Sequence, residues 1–155
     1  MFRHAKAEQG DDIADSDRRL TSRGRKAARQ MGELAKDHGL LPELVLSSSS
    51  ARTRETIELF GEASGHAGAV LYLDELYLAE PRAYIRALSV HAAGVSSAMV
   101  VGHNPGLEAL VLGLTGERLS LPTAALVECV LPIDDFASIA GIAGELGRVF
   151  RPKDE

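Results

Sequence analysis

The sequence predicts an α/β protein in which a mostly parallel central sheet lies between helices, as a three-layer α/β/α sandwich. Short runs of aliphatic residues alternate along the chain with longer segments whose apolar residues recur at helical spacing. Strands that alternate with helices of this length imply parallel crossovers and a sheet covered on both faces. The length of 155 residues fits a single domain over residues 1–155.

The elements are predicted in order along the chain. Thr21 is expected to cap a first helix that presents one apolar face and ends at Gly39. Further helices are predicted over residues 51–63, from Pro81 to about Val90, and from Pro105 to about Leu114. Strands are predicted at residues 44–46, 70–73, 98–101, 123–131 and 146–150.

Composition narrows the classes of function. The net charge of −5 argues against a general binder of nucleic acid or of membrane surfaces, so any anionic ligand must be held by a local group of cations. The one cysteine, Cys129, excludes an internal disulfide and a cysteine-rich zinc site. No apolar run has the length of a membrane helix, and the N-terminus lacks the pattern of a signal peptide. We therefore expect a cytoplasmic protein.

Polar residues follow three of the predicted strands. They are the Arg3-His4 pair, residues 48–52 and residues 102–104. In parallel sheets, ligands bind beyond the carboxyl ends of the strands, so these three segments are expected to meet at one edge. Two arginines and two histidines would then form a cationic cluster in an otherwise acidic protein.

That cluster suits a phosphoryl group. Arginine pairs with phosphoryl oxygens through two parallel hydrogen bonds, and donors aimed at these oxygens stabilise the charge of the transition state. An imidazole can attack phosphorus when one ring nitrogen is unprotonated and the other is held by an acceptor. The serine run at residues 47–50 adds hydroxyl and backbone donors at the start of a helix.

Five blocks, in order, resemble the histidine phosphatase superfamily, which has the phosphoglycerate mutase-like fold, and within it the SixA-type phosphohistidine phosphatases. The blocks are residues 3–7 (RHAKA), residues 17–21 (DRRLT) with Gly24, residues 48–52 (SSSAR) with Thr56, residues 74–77 (DELY) and residues 100–107 (VVGHNPGL). A lone Arg-His pair would carry little weight, but five ordered blocks cover most of the chain.

The resemblance implies a role for each matching residue. The first histidine, His4, is the expected nucleophile, and it becomes phosphorylated during turnover. Arg3, Arg52 and His103 would hold the phosphoryl oxygens, Glu75 would donate a proton to the leaving group, and Arg18, Ser48 and Asn104 would bind substrate. The family uses no metal or other cofactor.

Other interpretations remain open for some of these residues. Arg54 could replace Arg52 on spacing alone, Arg19 could replace Arg18, and Glu75 could be a solvated turn residue. Four acidic residues, Asp11, Asp12, Asp15 and Asp17, are interpreted as a solvated loop because they lack calcium-loop spacing.

The chain departs from the family pattern in three places. Ala5 stands where many members have glycine, and Ser48-Ser49 stands where Ser-Pro is common. Only Met1 and Phe2 precede Arg3, although the strand that carries the nucleophile is expected to be central and about five residues long. We therefore expect the natural chain to begin upstream.

The predicted function is a metal-independent phosphatase that acts through a phosphohistidine intermediate. The short stretch between Arg52 and His103 leaves little material for a lid, which favours phosphohistidine on a protein as the substrate. A small-molecule phosphomonoesterase of the same superfamily and a non-catalytic phosphate-binding protein are the alternatives. The expected partner is a phosphorylated protein or small phosphate ester, with no nucleic acid or membrane, and the expected state is a monomer or weak homodimer.

Overall fold

A computed structural model describes residues 1–153. Its strands are β1 (Phe2–Arg3), β2 (Leu44–Ser48), β3 (Ala69–Leu73), β4 (Ala98–Gly102), β5 (Leu126–Val130) and β6 (Glu145–Phe150). Its helices are α1 (Ser22–Asp37), α2 (Ala51–Ser64), α3 (Pro81–His91) and α4 (Gly106–Thr115), with 3₁₀ turns at Asp15–Asp17, Asp74–Leu76 and Phe136–Ser138.

Within these residues the strands form one mixed sheet in the order β3-β2-β4-β1-β5-β6. The first four strands in that order run parallel, and β5 and β6 are antiparallel to their neighbours. The prediction of a mostly parallel α/β sheet is confirmed. The carboxyl ends of β1, β2 and β4 therefore lie at the same edge of the sheet.

Two apolar cores lie on opposite faces of the sheet, because successive strand residues point to opposite sides. Val45 and Met99 pack with α1 and α2 on one face. Leu46 and Val100 pack with α3 and α4 on the other. This alternation produces the three layers that the sequence predicted.

The helix and strand boundaries agree closely with the prediction, with two differences. Thr21 caps α1 as expected, since its Oγ1 accepts a hydrogen bond from the Gly24 amide at 2.9 Å. Pro105 precedes α4 as its N-cap instead of opening it. The strand predicted from residue 123 begins only at Leu126, because Ala124 adopts a left-handed backbone with φ of 62° that no strand can contain. No helix within residues 1–153 combines the length and apolarity needed to cross a membrane.

β1 has only two residues, but it lies in the centre of the sheet, as expected for the strand that carries the Arg3-His4 pair. Phe2 is fully buried, and its ring lies 5.2 Å from that of Phe60. The strand pairs with β4 on one side and β5 on the other. Met1 extends this pairing, since its backbone exchanges hydrogen bonds with Val127 at 2.7 and 2.8 Å. Pairing on both sides holds the two-residue strand where a longer strand was expected.

Candidate active site

The register of β1 and β4 brings the two predicted histidines together. Arg3 is paired with Gly102, so the next residues along, His4 and His103, leave the sheet side by side. Their ring centroids are 5.3 Å apart. They open into a pocket of about 440 Å³, whose lining residues are Arg3, His4, Lys6, Ala7, Gln9, Asp15, Arg18, Arg52, Leu78, His103, Asn104 and Thr123.

His4 is held in the protonation state that a nucleophile needs. Its Nδ1 lies 2.7 Å from the carbonyl oxygen of Ala5, and since a carbonyl can only accept, Nδ1 must donate. The lone pair is therefore on Nε2. Burial, and to a lesser degree the nearby cations, lower the pKa of His4 to about 3, so the imidazole is neutral near pH 7. The segment after it is held by Thr56, whose Oγ1 accepts from the Ala5 amide at 3.0 Å.

His103 is oriented by two partners. The Arg52 guanidinium donates to its Nδ1 at 3.3 Å, and its Nε2 then carries the proton, which it donates to Ser48 Oγ at 2.8 Å. Burial and the charge of Arg52 lower its pKa to about 4. Ser48 does not line the pocket. It was predicted to bind substrate, but the structure places it behind His103, where it holds the ring.

Tyr84 supports His103 from below, a role for which the sequence gives no signal. Its hydroxyl accepts from the His103 amide at 3.2 Å, and its side chain is fully buried. Gly102 makes room for this contact, because a Cβ at that position would collide with the tyrosine hydroxyl. The glycine before the second histidine therefore allows a tyrosine to hold the backbone that carries it.

Arg52 is the arginine of the serine block that reaches the pocket. It is 2% exposed, projects from the first turn of α2, and donates to the Asp15 carbonyl oxygen at 2.7 Å and to Asp15 Oδ2 at 3.0 Å. Arg54 instead lies outside, with its guanidinium over the ring of Tyr72 at 4.1 Å. The spacing argument for Arg52 over Arg54 thus agrees with the structure.

The acidic residues of the predicted solvated loop are exposed, but Asp15 also pairs with groups of the pocket. Its carboxylate accepts from Arg18 at 2.8 Å, from Arg52, and from the Tyr77 hydroxyl. These contacts, that with Tyr77 first, hold the pKa of Asp15 well below its usual range, so it is ionised. The i, i+3 spacing of Asp15 and Arg18 is the one sequence signal that could have pointed to this pairing.

Arg3 and Arg18 complete the ring of cations. Arg3 NH1 donates to the Leu121 carbonyl at 2.7 Å. Arg18 NH1 donates to the Glu8 carbonyl at 2.9 Å, which keeps this side chain at the pocket. Arg19 points away and pairs with Glu55. Arg18 over Arg19 is therefore the arrangement seen in the structure.

Asn104 and Glu75 end in different places. Asn104 lines the pocket, and its Nδ2 donates to Glu108 at 3.1 Å and to the Leu121 carbonyl at 2.9 Å. Glu75 is exposed and does not line the pocket. The expected placement of Glu75 beside the leaving group is not observed, because the 3₁₀ turn Asp74–Leu76 directs Leu76 into the core and Tyr77 toward the pocket.

The pocket is built to bind a small dianion next to a neutral imidazole. Its lining contains four cationic side chains, Arg3, Lys6, Arg18 and Arg52, against the single carboxylate of Asp15. Tetrahedral oxyanions suit such a set of donors. Residues 1–153 contain no cluster of three or more histidine, cysteine or acidic side chains arranged to hold a metal ion.

Comparisons with known proteins agree with this geometry. A model of the histidine phosphatase superfamily (branch 1) matches residues 1–77. A solved structure from Agrobacterium tumefaciens, assigned as phosphohistidine phosphatase SixA, is 31% identical, covers 97% of this chain and 94% of that one, and has a TM-score of 0.82. The protein histidine phosphatase SixA solved with tungstate is 28% identical with a TM-score of 0.81, over 97% of this chain and 94% of that chain.

A curated relative, an uncharacterized Mycobacterium leprae protein, is 32% identical over 147 residues, which is 92% of this chain and 88% of the relative. The family match covers the Arg3-His4 segment and the Arg52 segment, and the structural matches extend over nearly the whole chain. Family membership supports phosphatase activity. The chain belongs to the histidine phosphatase superfamily, in its SixA-type group.

Proposed function

We propose that this protein is a metal-independent phosphatase that removes phosphate from phosphohistidine on a protein, through a phosphohistidine intermediate on His4. The observation that carries the proposal is the state of His4. Its Nδ1 hydrogen is committed to the Ala5 carbonyl, and its neutral ring lies in a pocket lined by three arginines. A neutral imidazole among phosphate-binding cations is what an attack on phosphorus requires.

In the first half of the reaction, the lone pair of His4 Nε2 forms a bond to phosphorus. The bond between phosphorus and the substrate nitrogen breaks, and its electron pair stays on that nitrogen. Arg3, Arg52 and Arg18 neutralise the phosphoryl oxygens as charge moves through the transition state. The Ala5 carbonyl accepts the Nδ1 hydrogen and thereby stabilises the cationic ring of phosphorylated His4.

In the second half, a water molecule attacks phosphorus and the bond to His4 Nε2 breaks. Its electron pair returns to Nε2, so that the histidine is again neutral. The proton that the water loses leaves with phosphate or to solvent. His103 stays beside the phosphoryl group because Arg52, Ser48 and Tyr84 hold it from three directions.

Asp15 is the only acidic residue among residues 1–153 that lines the pocket, and its state favours a substrate whose leaving group is a nitrogen atom. Asp15 is ionised and accepts from two arginines and a tyrosine, so it has no proton to give. An ester oxygen leaves poorly unless an acid protonates it. The imidazole of a phosphohistidine that is protonated on its other nitrogen leaves as a neutral molecule. This contrast supports a phosphoramidate substrate over a phosphomonoester.

The likeness to the tungstate complex supports the same conclusion. Tungstate is a tetrahedral oxyanion like phosphate, and the protein that binds it is a protein histidine phosphatase with a similar fold. A protein substrate also suits the open mouth of the pocket, which has Lys6, Gln9 and Leu78 on its exposed side.

The test compares substrates in the presence of EDTA. Wild-type protein is incubated with a chemically phosphorylated phosphohistidine domain, a phosphoserine peptide and several sugar phosphates. We expect release of phosphate from the phosphohistidine domain first and fastest, unaffected by EDTA. We also expect an acid-labile, alkali-stable phosphoenzyme when the reaction is quenched during turnover.

His4→Ala is the matched variant, and it should lose more than about 10³-fold in rate because no other group can form the covalent intermediate. Faster release from sugar phosphates would favour the small-molecule phosphomonoesterase, and binding of phosphate without turnover would favour a non-catalytic protein. Equal rates for His4→Ala and wild type would contradict the role of His4.

A further inference from the structure

Leu78 is an exposed apolar residue in a strained conformation at the mouth of the pocket. It is 56% exposed and lines the same pocket as His4 and Arg52. Its φ of 49° is in the left-handed region, which a leucine rarely adopts outside functional sites. Neither feature stabilises the fold. An exposed leucine contributes little hydrophobic burial, and a left-handed backbone is energetically unfavourable for this residue.

The neighbours of Leu78 hold it in this position from both sides. Leu76 is fully buried in the core. Tyr77 donates to Asp15 and lies edge-on to the His103 ring, with centroids 5.5 Å apart. On the other side, the backbone of Ala79 presses against Gly106, where a Cβ would collide with the Ala79 carbonyl. The side chain is therefore presented to solvent by a rigid segment.

The lining also contains polar and cationic side chains that are exposed or half-buried, Lys6, Gln9 and Arg18. A phosphorylated side chain that reaches His4 therefore enters a pocket that Leu78 and these polar side chains line together. The residue beside it on the substrate then meets either cations or one apolar surface. We expect a substrate larger than the phosphorylated ring to make this contact, because the side chain of Leu78 is on the solvent-exposed side of the pocket.

We propose that Leu78 is a substrate-contacting residue that selects phosphohistidine proteins carrying an apolar side chain next to the phosphorylated histidine. This proposal rests on the proposed function and adds the feature of the substrate that the enzyme recognises. The apolar side chain packs on Leu78 while the phosphoryl group lies among Arg3, Arg52 and Arg18. The contact adds binding energy that a free phosphorylated imidazole cannot supply.

The experiment uses three substrates and two variants at Leu78. The substrates are N-phosphoimidazole, a phosphohistidine peptide with leucine directly after the phosphohistidine, and the same peptide with serine in place of that leucine. Leu78→Asn and Leu78→Gly remove the apolar surface with residues that accept a left-handed backbone, so neither variant should melt at a lower temperature than wild type. Val90→Asn, at an exposed valine on α3, is the control.

We expect both Leu78 variants to raise KM for the leucine peptide about fivefold to tenfold, with kcat unchanged. The preference of wild type for the leucine peptide over the serine peptide should disappear in both variants, and turnover of N-phosphoimidazole should change much less than turnover of the leucine peptide. Val90→Asn should change none of these values.

Two results would overturn the proposal. Leu78 would be a structural residue if both variants slowed N-phosphoimidazole as much as the peptides, and it would have no role if the peptides were unaffected. Failure of wild type to release phosphate from N-phosphoimidazole and from both peptides would instead contradict the proposed function itself, and the selectivity with it. These outcomes differ in the wild-type measurement, so they cannot be confused.

Discussion

Two pockets lie at opposite ends of the parallel strands, and the smaller one contains the candidate site. The pocket at the carboxyl ends measures about 440 Å³, and its lining contains His4, His103 and three arginines. The pocket at the amino ends of β2 and β4 measures about 610 Å³ and is mainly apolar, with Cys129 and Met99 among its lining residues. The comparison shows that volume does not identify a site. Convergent polar side chains at the carboxyl ends of parallel strands do.

The largest expected effect in this comparison is at Arg52. Arg52→Ala removes a buried donor to the phosphoryl oxygens and the partner of His103 Nδ1, so kcat should fall about 10²-fold to 10³-fold. Arg54→Ala, two residues away on the exposed face of the same helix, is the matched control and should retain activity. Steady-state kinetics on a phosphohistidine substrate measures both. Equal losses would show that helix α2 responds to any change of charge.

The pH dependence of stability is the next largest effect. The pKa values of His4 and His103 are lowered to about 3 and about 4 in the folded protein, so the unfolded chain, with its histidine pKa near 6.5, takes up protons first as the pH falls. The two neutral histidines therefore make their full contribution to the free energy of unfolding above pH 6.5. As the pH falls below 6.5, the free energy of unfolding should decrease by up to about 1.4 kcal/mol per pH unit for each histidine.

Urea denaturation between pH 7 and 4.5 at constant ionic strength measures this slope. His103→Gln should reduce this slope by the share of one histidine. In the larger pocket, burial lowers the pKa of the Met1 amino group and Arg148 lowers the pKa of Glu128, so only the part of the slope that His103→Gln removes belongs to the carboxyl-end pocket. An identical slope in His103→Gln would contradict the burial of a neutral ring.

A smaller effect is expected at Asp15, the carboxylate that shares Arg52 and Arg18 with the incoming phosphate. Asp15→Asn removes a negative charge from the pocket but keeps the backbone carbonyl that holds Arg52, so inhibition by inorganic phosphate should strengthen about threefold to tenfold. Asp17→Asn, in the same 3₁₀ turn and exposed, is the control. Weaker inhibition in Asp15→Asn would mean that the carboxylate is needed to order Arg52 for the anion.

The smallest effect is expected at Cys129 in the larger pocket. Cys129→Ser should leave kcat/KM within about twofold of wild type and lower the free energy of unfolding by about 1 kcal/mol, because a hydroxyl is less suited than a thiol to this half-buried, mainly apolar position. Kinetics and urea denaturation of the same sample separate the two. A large loss of activity would show that the two pockets are energetically coupled and would break the comparison.

The sequence alone determined the alternation of strands and helices and the three segments that meet at one sheet edge. Periodicity, helix caps and glycine stops are local signals, so the bounds of α1 and α3 could be predicted within a residue or two. The match of five ordered blocks further indicated His4, Arg52 and His103. The two histidines follow strands directly and Arg52 lies in the first turn of the helix after β2, so the topology of the sheet decides where they go.

Only the tertiary structure decided which side chains enter the pocket from the loops. Asp15 and Tyr77 meet across 62 positions of sequence, and Tyr84 reaches the His103 amide from α3, contacts that depend on packing and not on local pattern. Glu75 was expected in the pocket but turns outward, since a single 3₁₀ turn decides whether it or Tyr77 faces inward. The strained backbone of Leu78 is likewise a product of contacts on both sides, which the chain makes only when it is folded.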